Sequence, residues 1–184
     1  MITLQTFYLQ GVNYLNQYVI QFSGLSDGLH SFEYEVSGLL FRDFEYNEIS
    51  DCNVCVKIEM NKQPDMLEMK FMFSGFVVLE CDRCLEEYNQ PISGKERLII
   101  KFGIKTDEEI DEVMVLPPHE HQIDLSKYIF ESIVLILPQR RVHFEDENGK
   151  SDCNPEIIKK LNELNNQKNI DPRWDDLKKL TLKN

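Results

Sequence analysis

Apolar side chains recur at every second position through much of the first hundred residues, the period that sends alternate side chains to opposite faces of an extended strand. Tyr18, Ile20 and Phe22 alternate with Gln17, Gln21 and Ser23, and Leu25-Ser26-Asp27-Gly28 follows as a turn. Phe32, Tyr34 and Val36 alternate more cleanly with Ser31, Glu33 and Glu35, as expected where one sheet face packs and the other meets water. Residues 38–44 read as a bend or short helix. From Cys52, the side chains of Val54, Val56, Ile58 and Met60 share one face, and Asn61-Lys62-Gln63-Pro64-Asp65 supplies a turn. The return strand turns Leu67, Met69, Phe71 and Phe73 inward, passes Gly75, where a bulge fits the pattern, and ends at Leu79. Residues 52–79 are therefore expected to form a hairpin. A further strand, with Leu98, Ile100 and Phe102 on one face, runs up to Gly103.

The period then changes. Residues 106–122 are acidic, then rich in Pro and His, and read as an exposed connection. Leu125, Tyr128, Ile129, Ser132, Ile133 and Ile136 recur at helical spacing until Pro138, with Asp124 available to accept backbone hydrogen bonds at the start. This apolar stripe is expected to cover one face of the sheet. Two shorter helical signals each begin with a capping residue followed by proline: Asn154-Pro155 before Ile157, Ile158, Leu161 and Leu164, and Asp171-Pro172 before Trp174, Leu177 and Leu180. The expected fold is α+β: an antiparallel sheet, open or barrel-like, one packed amphipathic helix over 125–137 and a short helical C-terminal tail. The division falls between a core domain, 1–138, and a loop with helical tail, 139–184.

Charge narrows the function. Lys and Arg total 20 against 32 Asp and Glu, a formal charge of −12 over 184 residues. Residues 155–184 carry seven basic and five acidic side chains, a net of +2, so the remaining 154 residues hold −14. Such a body does not coat nucleic acid electrostatically; it attracts a basic partner. Its longest apolar clusters, 76–79 and 133–137, are too short for a membrane span. No Lys or Arg precedes Arg42, which argues against an export or transit signal and for a cytoplasmic protein.

Five cysteines are an odd number, and without an export signal they do not describe a disulfide framework. Cys81-Asp82-Arg83-Cys84 is the most specific local motif, because two intervening residues let a tight turn aim both sulfurs at one tetrahedral metal. Cys153, and His143 ten residues before it, would complete a zinc sphere of three Cys and one His; reduced thiols capping a strand are the alternative. Cys52 and Cys55 share the spacing, but on a strand they point to opposite faces, so Cys52 belongs to the core and Cys55 to the outer face. A redox role for the Cys81–Cys84 pair is disfavoured, because Glu80, Asp82, Glu86 and Glu87 surround it and only Arg83 opposes them. His119 and His121 offer two ligands for a hydrolytic metal, with Glu120 or Asp124 as base, but no third ligand has convincing spacing. Arg140 and Arg141, with Arg173, Trp174, Lys178 and Lys179 of the tail, form the candidate RNA or partner contact.

Three motifs occur in a telling order: Cys81-Asp82-Arg83-Cys84-Leu85-Glu86 with Lys101-Phe102-Gly103 after it, Ile123-Asp124-Leu125 leading through Glu131 to Leu137-Pro138, and Asp171-Pro172-Arg173-Trp174 with Leu177-Lys178-Lys179-Leu180. In this order the chain resembles the YceD family of bacterial proteins, named for accumulation of large-subunit ribosomal RNA. Many relatives look richer in cysteine before the Asp-Pro-Arg motif, where this chain has only Cys153. The resemblance implies a non-enzymatic role in synthesis, processing or stability of that RNA, hence in ribosome biogenesis. Its expected partners are a basic ribosomal protein or assembly factor of the large subunit, and ribosomal RNA directly or indirectly, with no membrane and no small-molecule substrate. The competing reading is a metal-dependent enzyme or redox protein of unknown substrate.

Overall fold

The computed structural model describes residues 14–103, 113–145 and 151–166. A 3-10 turn, Tyr14–Tyr18, leads into β1, Val19–Gln21, then β2, Gly28–Ser37, and the short helix α1, Leu39–Asp43. The strands β3, Asp51–Lys62, β4, Met66–Glu80, and β5, Glu87–Phe102, follow, with β6, Val113–Leu116, and β7, Gln122–Asp124. The helices α2, Ser126–Ile136, and α3, Pro155–Asn166, complete the elements. The chain divides into two compact units: one reaches Glu80 and continues from Glu87 to Arg140, and the other combines Cys81–Glu86 with the chain from Arg141 onward.

In the first unit the sheet order is β2-β3-β4-β5-β6, with β1 and β7 forming a separate two-stranded ladder. The sheet is open and mixed, which corrects the barrel-like, wholly antiparallel alternative: β6 lies parallel to β5, pairing Ile99 with Val113 through Phe102 with Leu116. The four apolar residues of β6 lack alternation and abut Pro117-Pro118, so neither period nor length marked them as a strand. The 3–4 hairpin is in unbroken register from Asp51 opposite Val78 to Lys62 opposite Leu67, so there is no bulge at Gly75. Gly75 is required for another reason. Its φ is +151°, and a Cβ there would run into the carbonyl oxygen of Asn53 across the ladder.

The inner face follows the alternation: Val54, Val56, Ile58 and Met60 of β3 and Leu67, Met69, Phe71 and Phe73 of β4 are buried. Tyr18, Ile20 and Phe22 join the same core although only Ile20 lies within a strand. Helix α2 lays Ile129 and Ile133 on this face, with Tyr128 against Phe71 at a ring separation of 4.8 Å. Ile136 occupies the space over Gly94, where a β-carbon would approach its Cδ1 to 2.5 Å. The helix begins one residue later than its periodicity suggested, because 122–124 are spent on β7; the Asp124 carboxylate still accepts the Ser126 N–H at 2.8 Å. Residues 38–44 resolve into α1, whose Leu40 and Phe41 are buried.

In the second unit, Asn154 begins α3 as expected, its Oδ1 accepting the Glu156 N–H at 3.0 Å. The second tail helix, from Asp171-Pro172, lies outside the described residues. Among the described residues, no helix is long and apolar enough to cross a membrane.

Candidate metal centre

The turn that carries Cys81 and Cys84 closes on itself. Cys81 donates its N–H to the Glu86 carbonyl at 3.0 Å, and the Leu85 N–H returns to the Cys81 carbonyl at 2.9 Å. Leu85 sits at φ 61°, in the left-handed region that non-glycine residues seldom occupy, which reverses the chain immediately after the second cysteine. The Arg83 N–H points at the Cys81 sulfur at 3.4 Å. Both thiols are thereby turned inward on one side of a six-residue loop.

A second segment is clamped to that loop by reciprocal bonds. The Asp82 N–H donates to the Arg141 carbonyl at 2.7 Å, and the Arg141 N–H donates to the Asp82 carboxylate at 2.8 Å. Two residues farther, His143 presents Nδ1 to the thiols, 3.5 Å from Cys84 Sγ. Arg83 pairs with Glu145 and fixes the end of the segment. The bridge between Glu145 and Ser151 brings the chain back, and the Cys153 N–H donates to Ser151 Oγ at 3.2 Å. Cys153 Sγ thus arrives 3.7 Å from Cys81 Sγ and 3.6 Å from His143 Nδ1. Asn154 closes the ring by donating to the Glu86 carboxylate at 2.7 Å while its own oxygen caps α3.

The four candidate ligand atoms lie within 4.8 Å of one another. Zinc bonds of about 2.3 Å to sulfur and about 2.0 Å to nitrogen imply tetrahedral edges of roughly 3.8 Å between sulfurs and about 3.5 Å between sulfur and nitrogen. The separations of 3.7 Å between Cys81 and Cys153 and of 3.5 and 3.6 Å from His143 to Cys84 and Cys153 match those edges. The three cysteines are buried and His143 is half-buried, so the donors are pre-gathered and largely screened from water. Burial pushes the Cys81 thiol up, but N–H donors of the Arg83 and Cys84 backbone, with His143, outweigh it and bring it down to about 6. Cys153 moves the opposite way: burial raises it, and the neighbouring Cys81 sulfur adds to the rise while Ser151 opposes it. The loop readily supplies one thiolate, whereas several thiolates at these distances need a cation among them. Three soft sulfurs and one imidazole nitrogen are a donor set that can bind a metal of zinc's type.

The structure brings Cys81, Cys84, His143 and Cys153 together and leaves the other cysteines apart. Cys52 is buried and donates to the Val36 carbonyl at 3.4 Å; Cys55, on the outer sheet face, donates to the Glu33 carboxylate at 3.1 Å. At His119 and His121, no group of three potential ligands gathers among the described residues. Arg140 is exposed at the end of the first unit and Arg141 belongs to the second, where its backbone clamps Asp82. Arg173, Trp174, Lys178 and Lys179 lie outside the described residues. The sequence reading assigned no supporting role to Asp82, Glu86 or Glu145; the signal available was their placement beside the candidate ligands.

A family model described as "Large ribosomal RNA subunit accumulation protein YceD" matches residues 69–181, more than half of the chain. The chain belongs to the YceD family. The matched stretch contains all four candidate ligands, together with β5, α2 and α3. No curated protein and no solved structure shows a significant match to this YceD chain. The family name connects the protein with accumulation of large-subunit ribosomal RNA, and the family is not one of known enzymes.

Proposed function

We propose that this YceD protein is a non-enzymatic, cytoplasmic ribosome biogenesis factor that supports synthesis, processing or stability of large-subunit ribosomal RNA. Its membership in the family is the observation that carries the reading. The mechanism we infer is protein capture: the acidic body holds a basic ribosomal protein or assembly factor of the large subunit, and the effect on RNA follows. A charge of −14 outside the last 30 residues supports this, because long-range attraction of that sign raises the encounter rate with basic proteins and discourages indiscriminate contact with RNA.

In the same reading Cys81, Cys84, His143 and Cys153 hold a structural zinc ion. Bound there, zinc would neutralise the buried thiolates and cross-link two segments far apart in sequence. A closed set of four protein ligands leaves no position for a substrate, which favours a structural over a catalytic role.

Affinity capture of the tagged protein from cells at physiological salt, with and without ribonuclease, tests the mechanism. A basic large-subunit protein retained after nuclease treatment is the expected result. Recovery of ribosomal RNA and its proteins only without nuclease would overturn the acidic-body mechanism in favour of RNA contact. Recovery of neither would overturn the functional assignment.

A further inference from the structure

The outer face of the large sheet is not uniformly acidic. Cross-strand rows place Glu59, Lys70 and Arg97 side by side on β3, β4 and β5, and Lys57, Met72 and Lys95 in the adjacent row. Lys101 continues the same face of β5, so the β4 and β5 half carries four cations against Glu68 and, at the far end of the ladder, Glu80 and Glu87, while the β2 edge presents Glu33 and Glu35. Charge is segregated across the sheet.

Lys70 and Arg97 are directly opposite each other, an arrangement that costs stability in an antiparallel pair. Arg97 turns to Glu68 at 3.0 Å, and Lys57 turns to Glu33 at 3.5 Å. Lys70 and Lys95 have no ion pair among the described residues and flank Met72 in a groove of about 400 Å³, bordered by the carboxylates of Glu59 and Glu96. Along β4 the groove gives way to Ser74, with Ser93 opposite, and then to Phe76, an apolar ring 38% exposed. From Lys70 to Phe76 the strand spans roughly 20 Å.

We propose that this face of β4 and β5 is a contact surface for single-stranded RNA. Lys70, Lys95 and Arg97 hold backbone phosphates, and Phe76 offers its ring to an unpaired base. A phosphate between Lys70 and Arg97 would add to the offsetting of their like-charge pairing that Glu59 and Glu68 provide in part. Cations in line with an aromatic platform suit a single strand, whose phosphates and bases they meet without base-specific hydrogen bonds. The choice of RNA among polyanions rests on the family's connection with ribosomal RNA; the surface itself is independent of the acidic-body mechanism.

The test is direct binding of the purified full chain to a fluorescently labelled single-stranded segment of large-subunit ribosomal RNA, titrated at several salt concentrations. The Lys70→Glu/Lys95→Glu double variant should lose at least tenfold in affinity. Removing two phosphate contacts should flatten the slope of log affinity against log salt by about 1.4. Phe76→Ala should weaken binding and leave that slope unchanged. Arg42→Glu/Lys127→Glu makes the same change in net charge elsewhere on the first unit and should cost far less. Melting is measured alongside to show that each variant is folded, because Lys70→Glu relieves the like-charge pairing with Arg97 but sets a carboxylate opposite Glu59. Absence of RNA binding by the parent at low salt would overturn the proposal, as would an equal loss in the control. Unchanged affinity in a folded Lys70→Gln/Lys95→Gln variant would do the same. Capture of a basic protein in the cellular experiment bears on the other mechanism and leaves this outcome distinguishable.

Discussion

Each of the two cysteine classes is decided by what its sulfur touches. Cys52 and Cys84 are both buried, yet Cys84 faces an imidazole nitrogen whereas Cys52 faces the Val36 carbonyl and hydrocarbon. Burial, aided by the Asp51 charge, pushes the Cys52 thiol up to about 12 from its ordinary value near 9. The folded protein therefore holds that proton more tightly than the unfolded chain does. The resulting stabilisation is complete below about pH 9 and is lost as pH rises toward 12. Cys52→Ala should flatten the alkaline fall in stability, measured by denaturant unfolding at successive pH values. Tyr34 and Tyr128, both raised by burial, should keep some slope of the same sign.

Among the elements, the β3–β4 hairpin shows most clearly how a single position limits a sheet. The neighbouring backbone at Asn53 and Val54 approaches Gly75 so closely that no side chain fits, and its positive φ is strained for any L side chain. Gly75→Ala should destabilise the first unit by about 3 kcal/mol, from backbone strain and overpacking together. Equilibrium unfolding checks this, with Gly24→Ala as a comparison, since nothing lies within 4 Å of a Cβ at Gly24. Helix α2 meets the sheet through another glycine, Gly94, but there the obstructing group is the flexible end of Ile136 rather than backbone. Amphipathic spacing located α2, whereas β6 and β7 are too short to carry a period and exist only through their ladders with β5 and β1.

At the scale of the whole molecule, the described residues of the second unit are joined by polar contacts around the metal donors and bury little hydrocarbon. Its described core is largely the three cysteines, and its helix α3 leaves Leu161 and Leu164 exposed. If zinc supplies the cross-link, the metal's binding energy is also folding energy. Purified, reduced protein should contain one zinc per chain, and Cys81→Ser should contain none. A chelator should collapse amide dispersion for residues 81–86, 141–145 and 151–166 while the sheet of the first unit keeps its own. Stoichiometric analysis without metal, or a second unit indifferent to chelation, would sink the assignment.

Much of this protein was legible in its linear order. Alternation over 31–36, 52–60 and 67–79 identified strands and their inward residues, because a strand's period of two maps sequence directly onto faces. The same rule separated Cys52 from Cys55, and helical spacing with capping residues located α2 and α3. Tertiary structure decided what no local period records. It opened the sheet and made its last pairing parallel, and it required Gly75 for close approach in an unbroken ladder. It gathered cations from β3, β4 and β5 into adjacent rows, and through the Asp82–Arg141 clamp it carried His143 and Cys153 to a cysteine pair some sixty to seventy residues earlier. Side-chain type and spacing specify which face or turn a residue occupies; which distant residue shares that place depends on pairing and packing between segments, where the enabling contacts are hydrogen bonds of the backbone and carry little signature in sequence.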